Sequence, residues 1–169
     1  MQNAPDAGPS LAEAAGEQRF QRRAAEGGMK NKRQLIFAAA LGDRSLRVIR
    51  MSLACDISGF NQATLRGLFM RHRNRWTISG TTSGWRALSF ADVCVLTTAR
   101  GLIIHLGMTS PAALDVADEV RSHFEWAEVR AAAWVDLPNR FGFTRVPVGA
   151  VRDDVASALR DWAENREAT

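Results

Sequence analysis

The side chains best equipped for chemistry in this sequence are amides, hydroxyls and guanidinium groups gathered between positions 61 and 86. Asn61, Gln62 and Thr64 stand at the start of a helix expected over about 61–71, and Arg66 follows two residues later. Amides and hydroxyls in the first turn of such a helix have the donors and acceptors to read base edges. An arginine further along reaches a guanine or a phosphate. Arg71, Arg73 and Arg75 alternate directly after the helix, and Arg86 closes the Ser/Thr/Gly-rich stretch that follows. Such a set suits contacts to a phosphate backbone. The competing readings are plain ones: Arg66 as a solvated helix arginine, and Arg86 as a salt-bridge partner of Asp92.

Other chemistries find little support. There is no nucleophile–base–acid set, no glycine-rich phosphate loop and no metal-binding helix motif, so no enzyme, cofactor or metal site is expected. Cys55 and Cys94 are the only cysteines, too few for a disulfide framework or a cysteine-cluster zinc site. They are expected as small buried apolar residues on helices. His105 and His123 lack partners at ligand spacing, and His72 adds to the basic stretch. Trp76 and Trp85 are expected to pack rather than to stack on bases.

Charge reinforces the first reading. The 169-residue chain has 22 Lys+Arg and 18 Asp+Glu, a formal net charge of +4. That total hides a division: residues 29–86 hold 11 basic and 2 acidic side chains, whereas residues 111–169 hold 7 basic and 11 acidic. A compact, arginine-dominated block is the electrostatic footprint expected for nucleic acid. The acidic C-terminal part should then face away from the polyanion.

The elements that must position these residues follow from local signals. Residues 1–28, poor in large apolar side chains, are expected to be a disordered N-terminal extension. Residues 29–48 form a lead-in helix, Lys30 to Leu41 with a stop at Gly42, and a linker. Met51 to Ile57 is a short helix ending near Ser58-Gly59, and Asn61 caps the next. The turn between them gives the sequence form of a helix-turn-helix. A hairpin loop is expected between Ile78 and Trp85. Ser89, with Asp92 at the third helical position, opens a helix that stops at Gly107. Residues 109–169 read as a helix-hairpin-helix module. Its first helix is capped by Thr109 or Ser110, and its two strands flank a turn at 137–140. The last helix carries Val151, Val155, Leu159 and Trp162 on one stripe. Trp126, Trp134, Phe141, Phe143 and Trp162 exceed the needs of such a module and suggest a homodimer interface.

Residues 49–107 resemble the DNA-binding domain of MerR-like winged-helix proteins. Gly59 is followed five positions later by Thr64-Leu65-Arg66, similar to the family's glycine turn and recognition-helix opening. Gly84-Trp85-Arg86 looks like its glycine-aromatic-arginine wing end. Ser89, Asp92, Val93 and Leu96 fall at its spacing for the post-wing helix. The resemblance implies a winged helix-turn-helix over residues 49–108, with the second helix in the major groove and the wing on the neighbouring backbone. The chain departs from the family pattern at Gly67, Leu68 and Leu88, where aromatics are usual, and it has no tyrosine. Metal sensing is not carried over, because both cysteines precede residue 95.

The expected fold class is therefore mainly α with small β-hairpins: a MerR-like winged helix-turn-helix plus a short α/β C-terminal module. The expected function is sequence-specific binding of double-stranded DNA as a bacterial or phage transcriptional regulator. The alternative is a DNA-binding assembly factor, excisionase-like or similar to a phage small terminase. A homodimer is expected, with RNA polymerase or another protein as a further partner. No apolar run approaches the ~20 residues of a membrane span and no secretory signal is visible, so a cytoplasmic, nucleoid-associated protein is expected.

Overall fold

The computed structural model describes residues 32–43, 45–72, 75–79, 87–123, 133–139 and 142–165. The expected N-terminal extension 1–28, the loop at 80–84, Trp85 and Trp126 lie outside the described residues. The described part is mainly helical, with two small antiparallel sheets. In chain order it runs α1 (Lys32–Gly42), β1 (Ile49–Arg50), α2 (Met51–Ser58), α3 (Gln62–Arg71), a 3-10 turn at Thr77–Ser79, β2 (Ala87–Leu88) and α4 (Phe90–Leu106). It continues through α5 (Ser110–His123), β3 (Val135–Asn139), β4 (Gly142–Val146) and α6 (Val148–Glu164).

Helix α4 is the centre of the fold, and local chemistry sets both of its ends. The Ser89 hydroxyl accepts from the Asp92 amide while the Asp92 carboxylate accepts from the Ser89 amide, a complete capping box. Gly107 ends the helix in the left-handed region at φ 64°. Between them Phe90, Val93, Cys94, Val95, Leu96, Ala99 and Leu102 are all buried. A helix apolar on nearly every side belongs inside a protein, and α2, α5 and α6 pack around it.

The C-terminal module shares this core. Val146, Val148, Val155 and Leu159 belong to the same buried cluster as Leu65, Phe69 and Phe90. Helix α6 also packs on α1. The Arg33 guanidinium lies 5.2 Å from the Trp162 ring centroid and donates to the Asn165 carbonyl at 3.1 Å, which fastens α1 to the end of α6. Of the surplus aromatics, Trp162 is half-buried beneath Arg33 and Trp134 is 56% exposed, while Phe141 and the side chain of Phe143 lie outside the described residues.

Two local expectations are corrected. Strand β3 runs through Leu137-Pro138-Asn139, and Asn139 pairs with Gly142. The turn therefore sits beyond Asn139 rather than over 137–140. Both strands of this two-stranded sheet are edges, where a proline's missing N–H is tolerated. Residues 77–79 form a 3-10 turn instead of a strand leading into a hairpin. The physical reason is that the Thr77 amide donates to Asp118 of α5 at 3.1 Å, while Ile78 is buried in the core. Strand β2 pairs instead with β1, joining Ile49 to Leu88 and Arg50 to Ala87.

Gly59 makes the turn between α2 and α3 at φ 73°. A methyl group built there would meet nothing nearer than Arg100 Nε at 3.7 Å, so only backbone strain opposes a side chain. Gly59→Ala is expected to cost about 1–2 kcal/mol, the penalty of the left-handed conformation. Gly101→Ala, in mid-α4 with open space around its Cα, is expected to stabilise by about 0.5–1 kcal/mol. Urea unfolding of both variants checks the opposite signs.

Candidate nucleic-acid interface

Helix α3 divides its residues by their spacing. Leu65, Leu68 and Phe69 recur at i, i+3 and i+4 and are buried, so they fix which face turns inward. The opposite face leaves Asn61, Ala63, Thr64, Arg66, Met70 and Arg71 exposed and Gln62 half-exposed. Met70 is 69% exposed, beside Arg66 on the same face. No carboxylate occurs between Asn61 and His72.

The expected site residues fall into three groups. Gln62 and Arg66, four residues apart, line one side of the exposed face of α3, and Thr64 and Arg71, seven apart, line the other. Asn61 has a local duty, because its side-chain oxygen accepts from the Thr64 amide at 3.1 Å and caps the helix. Its side-chain NH2 remains the group to offer a ligand. Arg75 is committed elsewhere: Nε and a terminal nitrogen donate to the two oxygens of Asp115 at 2.9 and 2.5 Å. Arg73 and Arg86 lie outside the described residues.

The surroundings of Arg75 bring the acidic and basic parts of the chain into contact. Asp115 also accepts from the indole N–H of Trp76 at 2.8 Å. One turn further along α5, Asp118 accepts from the amide and hydroxyl of Thr77. The hydrogen bond from Arg75 holds the Asp115 carboxyl below its ordinary pKa, and the Trp76 indole acts in the same direction against partial burial. Because the folded-state pKa is depressed, this contribution to stability is present above the unfolded carboxyl pKa and is lost as pH falls through the folded one. Trp76 is buried, 6.1 Å from the Phe69 ring and 5.6 Å from His72. The tail of the basic block is thus gripped by α5, and His72 is half-buried against it.

One basic residue near this face escaped sequence reasoning. Arg100 of α4 stands beside the Gly59 turn, half-exposed and without a hydrogen bond or ion pair among the described residues. It lies outside the basic block, and only the packing of α4 on α2 brings it there. The cysteines are both buried and free. Burial pushes the Cys55 thiol up, Asp56 adds to this and Arg66 opposes it, which makes an unreactive thiol. Among the described residues no group of His, Cys, Asp or Glu could hold a metal, and no helix is long and apolar enough to cross a membrane. No family model, curated protein or solved structure matches this chain.

Proposed function

We propose that this chain is a sequence-specific, double-stranded-DNA-binding transcriptional regulator of bacterial or phage type. Helix α3 enters the major groove, and Arg73 and Arg86 in the proposed wing contact the backbone. The observation that carries this reading is the outer face of α3. It presents Gln62 and Arg66 along one side and Thr64 and Arg71 along the other, on a stretch free of carboxylates and anchored by the buried Leu65, Leu68 and Phe69. These are the side-chain types that pair with base edges and phosphates. A single module of this size makes few base contacts, which favours a homodimer on two half-sites about one helical turn apart.

A gel-shift series with salt titration tests the reading. A DNA binder loses affinity steeply as salt rises, whereas a protein–protein adaptor shows no binding at any salt. Footprinting then reads the number and spacing of half-sites. Arg66→Ala is expected to weaken binding by about 1–3 kcal/mol, roughly 5- to 150-fold. A loss confined to the preferred sequence marks Arg66 as a base reader, and a uniform loss marks a phosphate contact. Binding as tight as the parent's would remove α3 from the interface.

A further inference from the structure

We infer that Arg75 positions the recognition helix instead of contacting DNA, and that Asp115 and Asp118 of α5 hold it in that role. The inference rests on the DNA-binding reading for its function, but its structural half stands on contacts of its own. Sequence pattern places Arg75 third in a row of alternating arginines, where a phosphate contact is the natural assignment. The fold satisfies the guanidinium differently. Its fork is matched to both oxygens of one carboxylate, the pairing geometry that makes arginine–carboxylate contacts specific. That carboxylate also takes the N–H of a buried indole. The next residue, Thr77, gives its amide and hydroxyl to Asp118. Five donors on three successive residues therefore face two carboxylates one helical turn apart.

The clip reaches α3 through Trp76. Its ring packs near Phe69, the last buried residue of α3, and near His72, whose amide closes the helix on the Leu68 carbonyl at 3.0 Å. An isolated surface ion pair is worth little. This one shares its acceptor with a buried donor, so releasing it also frees the tryptophan that props the end of α3. Fixing that end fixes where Arg66 and Arg71 point.

The test depends on sign. Asp115→Asn removes a negative charge near the proposed polyanion site, which by electrostatics alone tightens binding. The clip requires the opposite: Asp115→Asn, Asp118→Asn and their combination weaken binding to a 30-base-pair duplex by roughly three- to tenfold, the scale of coupling between neighbouring contacts. Arg75→Gln weakens it similarly while leaving the slope of log K against log salt unchanged. The triple variant is no weaker than the Asp pair. If Arg75→Gln lowers the slope by about 0.9, Arg75 is a phosphate contact and the inference is overturned. Tighter binding by Asp115→Asn overturns it equally, by making the carboxylates a restraint on DNA binding.

A second measurement needs no DNA. Amide exchange in the free full chain is expected to speed up at Phe69 to His72 in the Asp pair variant, with α6 unchanged. Unchanged exchange at those amides overturns the clip. If the parent binds no duplex while this exchange effect is present, the DNA-binding reading fails and the structural clip survives.

Discussion

Leu159→Ala is expected to destabilise the whole chain, not only its C-terminal module, by about 2–5 kcal/mol, the range for removing a fully buried leucine. Leu159 is completely buried on α6, and the cluster it joins runs without a break to Phe90 of α4 and Leu65 of α3. The cavity therefore opens in a core that the helix carrying the proposed DNA contacts also uses. In a chain of this length the melting temperature should fall by roughly 4–20 °C, at ~2–4 °C per kcal/mol. Hydrogen exchange supplies the decisive comparison. Amides of Leu65 to Leu68 in α3 and those of α6 should open with the same free energy in the parent and lose the same amount in the variant, as one cooperative unit requires, while the end of α3 beyond Leu68 opens locally. Selective loss of protection in α6, with α3 unmoved, would show two separate cores and would make the C-terminal part a docked appendage. Arg66→Ala serves as the contrast: it is exposed, should leave unfolding nearly unchanged, and acts on binding alone.

What could be read from the sequence, and what could not, divides along one physical line. Signals that act within a turn of their own residue are legible. Asn61 accepts from an amide three residues on, Ser89 and Asp92 satisfy each other across three residues, and Gly107 takes a left-handed conformation that a side chain would strain. Those residues fix the start of α3 and both ends of α4. The stripe of α6 and the outward face of α3 are legible for the same reason, since helical periodicity is local. Contacts between residues far apart in the chain leave no such mark. Nothing near Arg75 in sequence distinguishes it from Arg71, and its partner lies 40 residues away on α5. Ile78 is strand-prone by type, yet Asp118 captures the neighbouring amide and a 3-10 turn results. Arg100 reaches the Gly59 turn only because α4 packs on α2. The candidate site is thus legible as a set of residue types on one helix face. The support beneath it, and the withdrawal of one arginine from it, are tertiary facts.

Asp92 is the residue where local and tertiary roles meet, and its loss is expected to cost about 2–4 kcal/mol, from a helix cap together with a buried ion pair. The carboxylate is fully buried. One oxygen accepts from the Ser89 amide at 2.8 Å and lies 3.8 Å from Arg47 Nε, while the other accepts from Arg121 of α5. A single side chain thereby ties the start of α4 to α5 and to the segment that leads into β1. Asp92→Ala removes the capping box and leaves two arginines without their carboxylate. Both arginines keep about a quarter of their side-chain surface exposed, at 26% and 22%. They can turn toward water, so the cost stays below that of a fully enclosed unpaired charge. Asp92→Asn keeps an acceptor for the Ser89 amide but sets a neutral amide against Arg121, and about half the loss should remain. Ser89→Ala removes only the reciprocal cap, about 1 kcal/mol. A double-mutant cycle between Asp92 and Arg121 separates the two roles. A coupling energy near zero would reduce Asp92 to a helix cap. A coupling of about 1–3 kcal/mol would make it the fastening that holds α5, and with α5 the Asp115 and Asp118 clip, in register with α4.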